Sequence, residues 1–359
     1  MTKLNEFVGI PRLKLKHLNS LTFIFLLALL TLLRNGFSVY GTAWRNYNTA
    51  AQANFTGEIS LRGKLLFVVN FFDWVGQKYG GLIFFLIMSI LILFFLLLIE
   101  FEISYLDILL KRKVWVLITL MPATAIILQR FGTFDTICIF ASILGGLTNS
   151  KIRAVLYALI FAGTNPEGAI VAVACLLVYK FICDYKSIRS FLKNPQVIFS
   201  GVAFCVSTLI IALDHLTNSN SSIVQQILFT DSKKAFAQDL ASGLLLPFSW
   251  FGCLWLLVVS RIFTFRKSDK LRIFVLIICI GAITMIASDG TRNAVLAFTS
   301  FLVVFIIKWN DFKLVRLLDS RWLIILYFVP VINVSNFNLF LPFHQILRLF
   351  GVFTSILTT

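Results

Sequence analysis

Charge is scarce in this chain, and acidic charge is scarcest. Asp, Glu, Lys and Arg make up 13% of its 359 residues, about half the roughly 25% of a soluble globular protein. A water-soluble domain of this length is excluded. Acidic residues number 16 against 32 basic ones, for a net charge of +16. In a soluble protein that excess would point to nucleic acid. In a membrane chain it marks basic cytoplasmic loops, so nucleic acid is not an expected partner. The six cysteines, at 138, 175, 183, 205, 253 and 279, lie in or beside apolar runs. None forms a CxxC pair, which excludes a disulfide framework or a cysteine metal site. No P-loop, HExxH, GxSxG or dinucleotide fingerprint stands in a fitting context, which removes only the common soluble chemistries. The alternating segments of about ten residues that build a membrane barrel are absent too.

What the chain has in abundance is apolar length. Hydrophobic residues reach 59%, the mean hydropathy is +0.91, and runs of about 20 apolar residues recur throughout. The expected fold is all-α: a polytopic helical membrane protein of about 11–12 transmembrane helices, with residues 1–359 forming a single transmembrane domain. Candidate spans are 20–36, 80–99, 114–129, 133–148, 152–164, 168–183, 196–213, 242–262, 271–287, 291–308 and 322–335. The segment 337–357 is ambiguous. The basic N-terminus before the first run resembles a signal peptide, but Arg34-Asn35-Gly36 offers no small-residue cleavage site. The first helix is therefore expected to be retained.

Orientation follows from counting. With the N-terminus in the cytoplasm, the inner segments hold Lys3, Arg12, Lys14, Lys16, Lys111, Arg112, Lys113, Lys151, Arg153, Lys180, Lys186, Arg189 and Lys193. They also hold Arg261, Arg266, Lys267, Lys270, Arg272, Lys308, Lys313, Arg316 and Arg321, which makes 22 of the 32 basic residues. The acids divide evenly, eight on each side. A bias carried by Lys and Arg alone is the form the positive-inside rule takes. The predicted location is a bacterial inner membrane, multi-pass. Two outer loops are long. Residues 37–79 carry an interfacial amphipathic helix in their second half, from Ile59 to Tyr79; residues 214–241 form a second, polar loop.

Almost no charge lies mid-span, which disfavours an ion-coupled transporter and favours a site at the outer boundary. Its candidate catalytic acids are Asp135, Glu167 and Asp73. Asp135 opens a helix, where a carboxylate also suits the helix dipole. Glu167 follows Asn165-Pro166, with the proline expected to open the next helix, where an acid is equally at home. The turn Ser288-Asp289-Gly290-Thr291-Arg292-Asn293 holds Asp289 and Arg292 between two apolar helices. Its guanidinium can grip a phosphate through two parallel hydrogen bonds, or can close the turn as an ion pair with Asp289. Arg130 beside Asp135 reads the same two ways. His344 can serve as acid or base or as an interfacial structural residue. Trp44 and Arg45, with Tyr40, Tyr47 and Arg34, can stack on a sugar or form part of an interfacial belt.

The stretch from Arg130 to Tyr179 resembles bacterial polytopic glycan enzymes of the GT-C type and the related lipid-linked polysaccharide polymerases. The features that carry this are Asp135 opening a helix, the basic turn of Lys151 and Arg153, and the polar turn Asn165-Pro166-Glu167. The large first outer loop, 37–79, is also similar to the GT-C plan. Thr291-Arg292-Asn293 resembles the arginine turn of O-antigen polymerases and ligases. The resemblance implies a glycosyltransferase or glycan polymerase using a polyprenyl-phosphate-linked sugar at the periplasmic face. Asp73, Asp135 or Glu167 would deprotonate the acceptor. Arg292 and Arg130 would hold the leaving phosphate, with or without a divalent metal such as Mg or Mn. Expected partners are the lipid-linked sugar or glycan, membrane lipids, and other cell-envelope assembly proteins. A transporter or flippase of a lipid-linked or hydrophobic solute, and a non-catalytic membrane scaffold, are the alternatives.

Overall fold

A computed structural model describes residues 20–37, 46–49, 51, 67–129, 131–184, 187–217 and 251–255. It also describes 274, 295–296, 299–300, 303, 326–327, 329, 331–333 and 338–340. Helix takes 89% of them, which makes the described part α-helical. In order come α1 (Ser20–Asn35), α2 (Phe67–Glu102), α3 (Ile108–Leu120), α4 (Pro122–Gln129) and α5 (Asp135–Leu147). Then follow α6 (Lys151–Thr164), α7 (Pro166–Asp184), α8 (Ile188–Leu192) and α9 (Pro195–Thr217). Among the described residues, two helices are long and apolar enough to cross a membrane: α2, and α9 over Pro195–Leu213. Shorter apolar helices are α1, α5 and the Pro166–Val178 part of α7.

Local chemistry explains most of the boundaries. Asp107 caps α3 by accepting the Leu110 N–H at 2.9 Å, and Ser150 caps α6 by accepting from Arg153 N. The expected boundary between 37–79 and 80–99 falls on a break inside α2. Gly80 there has φ +85°, a left-handed conformation that costs an L-residue about 1–2 kcal/mol. Asn48 covers the break, its Oδ1 accepting the Gly81 N–H at 2.8 Å.

Two expected spans are corrected. The span 114–129 is two helices, because Pro122 pushes Met121 into extended backbone (φ −62°, ψ 142°) and lacks the N–H that would continue the ladder. The span 322–335 does not stay helical. Beyond Pro330, Val331–Asn333 pairs antiparallel with Asn338–Phe340, Val331 opposite Phe340, and β-branched Val331 and Ile332 with aromatic Phe340 suit a strand pair. Most of spans 242–262, 271–287 and 291–308, of loop 214–241 and of segment 337–357 lies outside the described residues.

The core is built around α5, all of whose residues from Asp135 to Leu147 are buried. Phe95 of α2 stacks on Phe140 of α5 at 5.2 Å. Phe161 of α6 stacks on Phe199 of α9 at 5.7 Å. Ser300 donates to the Ser142 carbonyl at 3.0 Å, fastening a later segment to α5. The Phe199 ring presses on Gly145, where an added Cβ would sit 2.3 Å away. Gly145→Ala is therefore expected to cost about 1–3 kcal/mol by overpacking. Gly201→Ala on α9, with nothing within 4 Å, should leave the thermal midpoint unchanged or raise it. Thermal unfolding of the two detergent-solubilised variants checks the contrast.

Candidate functional site

Asp73 and Asp135 flank one aromatic cluster, and Glu167 lies at the same end of the helix array. Helices α5 and α6 form a hairpin through the short turn 148–150, so the start of α5 and the end of α6 lie at the same end of the helix array. Asp135 sits in the first turn of α5 and is 4% exposed. The residue at its N-cap is Phe134, which supplies no side-chain acceptor. Asp135 is thus the carboxylate of that first turn, at the positive end of the helix dipole, and the Thr133 carbonyl accepts the Thr136 N–H at 3.2 Å. The Thr136 hydroxyl beside it is buried with no hydrogen-bond partner among the described residues.

Glu167 stands differently. Asn165 ends α6 and caps α7 at once: its Oδ1 accepts the Gly168 N–H at 3.0 Å and its carbonyl accepts the Ala169 N–H at 2.9 Å. Pro166 opens α7, as its sequence position predicts. The capping task belongs to Asn165, and Glu167 next to it is half-buried.

Asp73 lies in the part of α2 before the Gly80 break. Tyr47 Oη donates to one of its oxygens at 2.8 Å and Gln77 Nε2 to the other at 2.9 Å. The Tyr47 ring packs on Phe84 at 4.7 Å, and Phe84 meets Phe134, next to Asp135, at 6.4 Å. Phe67, at the start of α2, lies over Gly163 in the last turn of α6. Burial first, then the Asp73 charge and its hydrogen bond, push the Tyr47 phenol well above its usual range. A folded-state pKa above the unfolded value of about 10 means this contribution to stability is complete below pH 10 and is lost above it. Asp73→Asn should bring the Tyr47 ionisation part of the way back down. An ultraviolet titration with Tyr47→Phe as blank measures it; no movement would separate Asp73 from the phenol.

Arg292, Arg130, Asp289, His344, Trp44 and Arg45 lie outside the described residues. Among the described residues no group of three or more His, Cys, Asp or Glu side chains is arranged to hold a metal ion.

Sequence reasoning passed over two charged clusters. At the far end of the hairpin, Glu102 closes α2 with its side chain 1% exposed. Arg153 of α6 grips it with two nitrogens, at 2.6 and 3.2 Å. Tyr157, one turn on, donates to the same carboxylate at 2.9 Å. The second cluster surrounds Arg34, in the last turn of α1 and 1% exposed. Its guanidinium donates to the carbonyls of Leu120 at 2.9 Å, Thr119 at 3.4 Å and Val329 at 3.4 Å, and to Cys253 Sγ at 3.6 Å. The Pro122 break explains the first two, because it leaves the last carbonyls of α3 without helical partners. Arg34 supplies donors where the negative end of that helix dipole lies. The readable signals were the proline for one cluster, and the acidic end of the longest span facing a basic turn for the other.

No protein-family model matches the sequence, and no curated protein or solved structure proves similar to it.

Proposed function

We propose that this chain is a multi-pass protein of the bacterial cytoplasmic membrane, N-terminus inside, that transfers sugar from a polyprenyl-phosphate-linked donor at the outer face. The observation that carries the reading is the placement of Asp73, Asp135 and Glu167 at a single end of the helix array, the first two flanking one aromatic cluster. In the proposed topology that end faces outward. Exposed apolar side chains along α2, such as Leu86, Leu93 and Leu97 at 52–69% exposure, suit contact with lipid and with a polyprenyl tail.

The local chemistry divides the acids between roles. Asp135 is buried in the first turn of a helix whose N-cap residue offers no side-chain acceptor, which suits support of α5. Asp73 is engaged on both oxygens, which weakens it as a base. Glu167 is half-buried with its helix start capped by Asn165, and we assign it as the general base that takes the acceptor hydroxyl proton. Transfer then breaks the bond from the anomeric carbon to phosphate oxygen and forms the new bond to the acceptor oxygen. Polyprenyl phosphate leaves with the electron pair.

The experiment is a transfer assay on the full chain in liposomes, with polyprenyl-monophosphate and polyprenyl-diphosphate sugars supplied in turn. Release of polyprenyl phosphate or diphosphate, matched by product glycan, is the expected result. Release with neither donor class overturns the proposal and leaves the scaffold reading, which the local pairing of Asp73 favours.

A further inference from the structure

At the end of the array opposite the candidate acids, a cleft of about 300 Å³ opens between α1, α2 and α3. Ser20 and Phe23 of α1, Glu100 of α2, and Lys111, Arg112 and Trp115 of α3 line it. Its volume stands at the small limit of about 300–1,000 Å³ for ligand sites, room for a headgroup rather than a whole amphiphile.

Three features define what fits. First, the cleft holds two cations and one carboxylate. Lys111 Nζ lies 3.3 Å from Glu100 and Trp115 Nε1 donates to Glu100 at 2.8 Å. The Lys111 pair is partly exposed and so only weakly held. Second, the Arg112 guanidinium lies over the Phe23 ring, 5.2 Å from its centroid, on a residue only 6% exposed. A guanidinium held against an aromatic face has already given up side-chain freedom, which lowers the cost of each further hydrogen bond it makes. Third, the rim is apolar and open: Ile24 is 60% exposed and Ile108 58%. A soluble anion would use the cations and leave that rim in water. A phospholipid uses both, its phosphate on the fork and its chains along α1 and α3.

We propose that this cleft binds the phosphate of an anionic phospholipid from the surrounding leaflet, with Arg112 as the principal contact and Lys111 as the second. The site rests on membrane embedding alone and is independent of the transfer chemistry at the other end.

Trp115 is the built-in probe. The full chain is placed in phosphatidylcholine nanodiscs, and brominated phosphatidylglycerol or brominated phosphatidylcholine is added in graded amounts. Subtracting the Trp115→Phe signal isolates quenching at the cleft. The expected result is half-quenching at about a five- to tenfold lower fraction of the brominated anionic lipid. Lys111→Gln should shrink the preference and Arg112→Gln should abolish it. Equal quenching by both lipids overturns the proposal, as does a preference surviving Arg112→Gln with native circular dichroism. Relief of quenching by millimolar inorganic phosphate would mean a phosphate site without lipid selectivity, and overturns it as well. Should Arg112→Gln fail to fold, the wild-type lipid comparison and Lys111→Gln decide the matter.

Discussion

Arg153→Met is expected to cost the protein about 3–5 kcal/mol of stability, the range for stripping a buried carboxylate of its counter-ion. The two partners are unequally placed. The Glu102 side chain is 1% exposed and that of Arg153 36%, so the carboxylate depends on the pair for its solvation and the guanidinium can turn to water. Glu102→Gln keeps an oxygen for Tyr157 and releases Arg153 to solvent, and should cost less, about 1–3 kcal/mol. Urea unfolding of the detergent-solubilised variants, followed by circular dichroism, gives both numbers. The order matters more than the size. If Glu102→Gln is the worse of the two, the burial asymmetry is not what controls this pair. The double variant should recover part of the Arg153→Met loss, since the two sites share one interaction.

Glu167→Gln should lower the transfer rate by about 10²–10⁴-fold, the usual contribution of a positioned general base, while the thermal midpoint moves little. The structural reason is that Asn165 supplies the cap of α7, so a neutral amide at 167 removes a proton acceptor without uncapping the helix. Asp135→Asn should show the reverse weighting, with a clear loss of stability from the start of α5 and a smaller loss of rate. The paired measurement is a rate in liposomes set against a melting curve for each variant. A Glu167→Gln protein that keeps full rate would move the base elsewhere and end the assignment.

Legibility in the sequence followed the range of each interaction. Ser150 before Lys151 and Asn165-Pro166 are caps made within a few residues, and the expected spans 133–148, 152–164 and 168–183 lie close to α5, α6 and α7. The start of α3 was missed: Asp107 caps it at Ile108, where the expected span opened at 114. Pro122 carried an equally local signal for the break before α4, but a continuous apolar run masked it. The Glu102–Arg153 pair joins residues 51 positions apart, and Arg34 reaches carbonyls 85, 86 and 295 positions away. Such contacts depend on how helices align, which spacing along the chain does not encode. The three acids were picked out as individuals. The division of labour proposed for them rests on the Asn165 cap of α7 and on the Tyr47 and Gln77 hydrogen bonds to Asp73, neither of which spacing along the chain displays.

The shortness of the central hairpin bears on depth. Thirteen residues of α5 and fourteen of α6 make rods of about 20 Å, against a hydrocarbon layer of about 30 Å. A lipid-facing helix of that length would have to thin the bilayer around it. Every residue of α5 is buried inside the protein, so its short length is matched by the neighbouring helices and not by the bilayer, and the mismatch cost of a lipid-facing helix does not arise for it.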